Sequence, residues 1–166
     1  MHRRTASWGS ALFFVVAPGS IAARVPWWLS GWAFQPPFFG FMATRALGLV
    51  LIAAGVFVLL DSFIRFALEG LGTPAPIAAP ERLVVTGLYR HVRNPMYVAV
   101  LAVIFGQAFF FGNLDLLLYG VVVWTAFHFF VLVYEEPTLQ SRFGPEYDEL
   151  SKHVPRWLPR FRPWRG

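Results

Sequence analysis

The chain contains no cysteine. Disulfides, thiolate zinc sites and cysteine nucleophiles are therefore excluded. Charge is also scarce: 14% of the 166 residues are Asp, Glu, Lys or Arg, where a soluble domain carries about 25%. Gly-rich phosphate loops and zinc-type His spacings are missing, so no metal is expected. No internal repeat is visible. What the sequence has in abundance is apolar, at 57% of residues with a mean hydropathy of +0.54. These residues come in long blocks, which predicts an integral membrane protein of one domain over 1–166. The pI near 10.2 does not point to nucleic acid here. Arginines at the ends of apolar blocks read as topology signals and anionic-lipid contacts.

The expected fold is all-α, with four transmembrane helices and a C-terminal surface segment of short helices. Residues 1–70 hold two spans on the expected acceptor side, and 71–166 hold the motif region. The first block, Trp8 to Ala23, has two readings. Ser20-Ile21-Ala22 resembles a signal-peptidase site; the preferred reading is a first span kinked at Pro18. Val25 to Gly40 reads as an interfacial loop anchored by Trp27, Trp28 and Trp32. Ala46 to Phe66 is the second span, long enough at about 1.5 Å per residue to cross a bilayer core. Within it, Asp61 and Arg65 are spaced for an intrahelical pair. Glu69 to Val85 is a Pro- and Gly-rich surface loop.

Asn94-Pro95 then starts a helix, with Asn as N-cap and Pro at the first helical position. Pro95 to Phe111 and Leu114 to Tyr134 are spans three and four, antiparallel across the tight turn at Gly112-Asn113. Pro137 and Pro145 open two short helices. The tail, in which Trp157, Phe161 and Trp164 alternate with arginines, is expected on the membrane surface. The arginine distribution puts both termini and the Thr86–Tyr97 segment in the cytoplasm. The expected location is a bacterial inner membrane.

Three cations or near-cations, Arg90, His91 and Arg93, directly precede the third apolar helix. Some forty residues later Glu135 and Glu136 follow the fourth. The antiparallel hairpin brings the two groups to one membrane face. Adjacent carboxylates at a helix C-terminus oppose the helix dipole and ask for a compensating cation. Arg90, Arg93, Arg142 or a cationic ligand can supply it. S-adenosylmethionine suits such groups: a glutamate takes its ammonium, an arginine its carboxylate, and Tyr89 and Tyr97 offer aromatic faces. Spacing alone does not select this ligand over other zwitterions. His128 lies seven residues before Glu135 on nearly the same face. It reads as a bundle hydrogen-bonder or as a base near the substrate.

The stretch Gly72-Thr73-Pro74-Ala75-Pro76 and the run Thr86-Gly87-Leu88-Tyr89-Arg90-His91-Val92-Arg93-Asn94-Pro95-Met96-Tyr97 resemble the isoprenylcysteine carboxyl methyltransferase superfamily. Glu135-Glu136, Arg142-Phe143-Gly144, Tyr147 and Val154-Pro155-Arg156-Trp157 continue that pattern in order. The superfamily also includes phospholipid methyltransferases. The resemblance implies a membrane methyltransferase using S-adenosylmethionine and releasing S-adenosylhomocysteine. The resemblance places Arg93, Asn94, Pro95, Tyr97, Glu135 and Glu136 in its motifs as cofactor-binding candidates, and Tyr89 joins them by its aromatic face. Arg93 and Glu135 are also catalytic candidates, as is His128 from its position alone. Asn94 stands where the family motif usually has His, and it can hydrogen-bond but carries no charge. The acceptor is expected to be lipophilic (an isoprenoid, a lipid or a small hydrophobic molecule) and to enter from the bilayer. With few candidate bases, the chain favours a nucleophile that is already anionic. The rival readings are a sterol-reductase-like NADPH enzyme and a non-enzymatic adaptor or transporter. The chain is short for the first, and its polar groups do not line a path across the membrane for the second.

Overall fold

The computed structural model describes residues 16–69 and 83–165. The described residues are helical with no strand. The first half of the expected first span falls outside them, as do most of the Pro-rich loop and the Gly72–Pro76 stretch. The side chain of Arg65, half of the Asp61–Arg65 pair, is outside the described part as well.

Helix α1 covers 16–30, α2 Ala43–Glu69, α3 Pro95–Phe111 and α4 Leu114–Phe130. Helix α4 runs on through a wide π turn, Val131–Glu135, into α5, Glu136–Phe143. Helix α6 is Pro145–His153. Two stretches are long and apolar enough to cross a membrane, Ala43–Ser62 and the continuous Leu114–Phe143; Pro95–Phe111 is apolar but shorter. Only 11% and 22% of the most apolar windows in the two long stretches are buried. The core helix of a soluble protein would hide most of such a window, so these apolar faces point outward.

Helix α3 is the central element, packed between α2 and α4. Glycines let α2 and α3 approach closely. A Cβ added to Gly48 would stand 2.6 Å from the Gly106 carbonyl oxygen, and one on Gly55 2.7 Å from that of Ala99. The turn from α3 to α4 is as expected. Gly112 takes a left-handed conformation (φ 71°), and the Asn113 side chain caps α4 by accepting from the Leu116 N–H at 3.0 Å.

Two expectations about prolines are corrected. Val25 to Ser30 is helical, where a loop was expected, and Pro26 is accommodated by a π turn over Ser20–Arg24. In that wide turn the Val25 N–H reaches back to the Ser20 carbonyl, which frees the Ile21 carbonyl. Pro26 has no N–H, which frees the Ala22 carbonyl. Side chains from the neighbouring helices take both: Tyr119 Oη donates to Ile21 at 2.9 Å and Gln107 Nε2 to Ala22 at 2.6 Å. The second case is Pro137. It opens α5 as expected, yet the chain does not leave the axis of α4 before it. The π turn over Val131–Glu135 makes room for the ring, so Glu135 and Glu136 sit inside a continuous helix. The dipole argument for a helix end does not apply to them.

The tail, expected on the membrane surface, has an inner side held by the protein itself. It packs on the protein along the segment before α3. Backbone bonds join Arg93 N–H to Pro155 (2.9 Å), Arg160 N–H to His91 (2.9 Å) and Trp164 N–H to Arg90 (3.0 Å). A small core of Tyr147, Leu150 and Val154, with Leu83, Val85 and Trp164 against it, holds α6 and the tail together.

Candidate functional site

The hairpin geometry follows from α3 starting where α4 ends. Tyr97, in the first turn of α3, donates from its hydroxyl to Glu135 Oε2 at 3.0 Å. Its ring lies 4.6 Å from that of Phe127, tilted by 36°. Among the described residues no cation forms an ion pair with Glu135. It is a shielded carboxylate with one phenol on it.

Glu136, about 100° further round the helix, faces a different set. Arg156 grips it with two bonds, Nε to Oε1 at 2.6 Å and Nη2 to Oε2 at 2.8 Å. Arg93 Nη1 joins at 3.1 Å from Oε1 and also donates to the Tyr147 hydroxyl at 3.1 Å. Both partners of the Arg93–Glu136 pair are largely shielded, with side chains 13% and 19% exposed. The hydrogen bonds from Arg156 outweigh its partial desolvation and hold its guanidinium pKa above the usual arginine value. Arg93 Nε is buried with no acceptor. Of the three cations expected to compensate the glutamates, Arg93 alone does so. Arg90 Nε bonds to the Trp164 carbonyl at 2.6 Å, and Arg142 lies over the Phe143 ring. The second compensating cation is Arg156, part of the recognised pattern but given no role from it.

Asn94 is at the N-cap position of α3, and its carbonyl accepts from Val98 N–H. Its side chain does not cap, against expectation. It is buried and donates from Nδ2 to the Arg156 carbonyl at 3.2 Å. The reason is the tail, whose backbone supplies an acceptor where water would otherwise be. Pro95 is buried in the first turn and shapes the helix start. Tyr89 lies in a 3₁₀ turn, Gly87–Arg90; burial, and then the Glu135 charge, raise its pKa and keep the phenol neutral. His91 is tied to Arg160 through its ring as well as its backbone, with Nδ1 at 2.7 Å from the Arg160 carbonyl. His128 stands apart from the carboxylates. Its Nδ1 accepts from Trp157 Nε1–H at 3.1 Å, and its ring stacks on Trp124 at 5.3 Å.

The cluster thus joins Tyr97, Arg93, Asn94, Pro95, Glu135 and Glu136 with Tyr147 and Arg156. An open groove of about 500 Å3, lined by Gly19, Ser20, Ala23, Arg24, Trp27 and Trp32, shares no residue with it.

A family model described as phospholipid methyltransferase matches residues 43–146, more than half of the chain. The chain belongs to the phospholipid methyltransferase family. The match takes in Arg93, Tyr97, Glu135 and Glu136 and stops before Arg156 and Trp157. Among curated proteins the chain is similar to the protein-S-isoprenylcysteine O-methyltransferase of Schizosaccharomyces pombe, 36% identical over 78 residues. That alignment covers 46% of this chain and 33% of the relative, so it spans about a third of the relative's length. Membership of a methyltransferase family disfavours the reductase and adaptor readings.

Proposed function

We propose that this member of the phospholipid methyltransferase family is a membrane-embedded methyltransferase that uses S-adenosylmethionine to methylate a lipophilic acceptor. The observation that carries the reading is the pairing of an uncompensated, shielded carboxylate, Glu135, with a buried arginine nitrogen that lacks an acceptor, Arg93 Nε. Such a site asks for a ligand with one cationic and one anionic group. The amino acid end of S-adenosylmethionine is such a zwitterion.

In this reading Glu135, oriented by the Tyr97 hydroxyl, takes the ligand ammonium. Arg93 takes the ligand carboxylate through its free Nε–H edge. The Tyr97 and Phe127 rings and the neutral Tyr89 present faces to a sulfonium or an adenine. When bound, S-adenosylmethionine supplies an electrophilic methyl group. The side chains contribute by position, since displacement at a methyl depends on holding donor and nucleophile in line. Glu136, also named as a cofactor candidate, has both oxygens on arginine. Its role here is to aim Arg93 and to hold Arg156. With its Nδ1 engaged by Trp157, His128 is placed as a positioning residue at the acceptor side. A nucleophile that arrives as an anion needs no base, which fits this arrangement.

The membrane arrangement belongs to the same proposal: four spans, both termini and the site cytoplasmic, in a bacterial inner membrane. The outward apolar faces of α2 and α4 support it, as does the arginine distribution. Calorimetry of the full chain in detergent tests the cofactor. S-adenosylhomocysteine should bind and NADPH should not; the reverse would replace this reading with the reductase one. Transfer of labelled methyl groups into a lipid extract then tests the acceptor class.

A further inference from the structure

The tail has two sides. On the inner side Trp157 bonds to His128, and Trp164 stacks on His153 at 5.8 Å and 10°. On the outer side Leu158 is 79% and Phe161 fully exposed. Arg162 and Arg165 are exposed beside them, and no acidic residue of the described set pairs with either. Water is a poor environment for Leu158 and Phe161, and two side chains cannot bury the roughly 800 Å² that a stable protein interface needs from each partner.

The Trp157–His128 bond gives their depth. His128 lies within the apolar stretch Leu114–Phe143, about 10 Å along the helix from Glu135 at 1.5 Å per residue. Leu158 follows Trp157 directly, so the outer side of the tail stands at the edge of the apolar zone. Apolar side chains at that edge with unpaired arginines beside them complement a leaflet surface bearing anionic headgroups.

We propose that residues 155–165 dock into an anionic leaflet through Leu158 and Phe161, with Arg162 and Arg165 on the headgroups, and that docking holds the segment before α3 in place. This rests on the membrane reading given above. The second half follows from the bonds along the tail. Pro155, Arg156, Arg160 and Trp164 each bond to the run Arg90–Asn94. Arg156 completes the Glu136 site. Whatever fixes the tail fixes the motif.

The absence of native cysteine makes the test direct. Leu158→Cys and Phe161→Cys, each carrying a bimane label, are placed in the full chain in nanodiscs. One set of discs is phosphatidylcholine and the other equal parts phosphatidylcholine and phosphatidylglycerol, both with nitroxide-bearing lipid. Labels at 158 and 161 should be quenched in the anionic discs and less so in the neutral ones. A label at the exposed Glu146 of α6 should be quenched in neither. Arg162→Gln and Arg165→Gln should each lower the docked-to-free ratio roughly five-fold at low salt. Amide exchange over Arg90–Asn94 should slow in anionic discs, and Phe161→Ser should remove that protection.

Labels unquenched in both lipids, or quenched alike in both, overturn the proposal. So does exchange that ignores lipid composition, or quenching that follows protein density and thus reports a second copy of the chain. None of these readouts uses the cofactor. A chain that fails to bind S-adenosylhomocysteine defeats the methyltransferase reading and leaves this result standing.

Discussion

Arg156 reaches Glu136 from twenty residues away and holds it with two parallel hydrogen bonds, at 2.6 and 2.8 Å. The fork geometry is one that only arginine can make. Arg156→Ala should therefore weaken S-adenosylhomocysteine binding ten-fold or more, since charged hydrogen bonds of this kind contribute about 1.5–3 kcal/mol. Arg156→Lys should recover little of it. Titration calorimetry on both variants checks this; wild-type affinity in the lysine variant would show that charge alone suffices.

The adjacent glutamates should separate by phenotype. Glu135→Gln should lose cofactor affinity while the protein keeps its melting temperature, because no arginine depends on that carboxylate. Glu136→Gln should lose both, since two shielded arginines are left short of a counter-charge. Thermal unfolding and calorimetry on the same preparations decide the matter. Equal losses of stability in the two variants would contradict the division of roles.

His128 and Trp157 should behave as one unit. His128→Ala and Trp157→Phe each remove the 3.1 Å bond, so the double variant should be less destabilised than the sum of the singles. The coupling expected for a hydrogen bond is about 1 kcal/mol. Turnover per folded molecule should keep its pH profile in His128→Ala. A loss of the profile's acidic limb would make His128 a base.

Gly48→Ala and Gly106→Ala should each cost about 1–3 kcal/mol of stability through overpacking, because the new methyl meets backbone of the facing helix. Gly19→Ala, with nothing near its Cβ position, should be neutral. Melting temperatures in one detergent compare the three.

Much of this site was legible because its signals are local. Asn94-Pro95 marks a helix start, and Gly112-Asn113 marks a turn too short for anything but an antiparallel hairpin. Those two features bring Tyr97 to Glu135. What the residues did not disclose is of two kinds. The tail meets the run Arg90–Asn94 through the tail's own backbone groups, as at Trp164 and Arg160, so the tail's side chains do not announce the contact. The prolines misled for the opposite reason. Pro26 and Pro137 are conspicuous and read as breaks, but a π turn two residues earlier lets each ring stay on the helix axis. Gln107 and Tyr119, which satisfy the first of those turns, look like stray polar residues in apolar runs until their acceptors are seen.

The wide turn at Val131–Glu135 sets an angle as well as admitting a proline. Each residue of a regular helix advances the side-chain direction by about 100°. Wound at that ordinary pitch, the same residues would present everything after Glu135 rotated by about one such step relative to Tyr97 and Phe127. Glu136 would then point away from Arg93 and Arg156. The phase of the helix therefore decides which carboxylate faces Arg93 and Arg156, and that phase is set beside Pro137, a residue that lacks an N–H. Rotation about a helix axis, with no change in sequence at the site itself, would redirect the same pair of carboxylates.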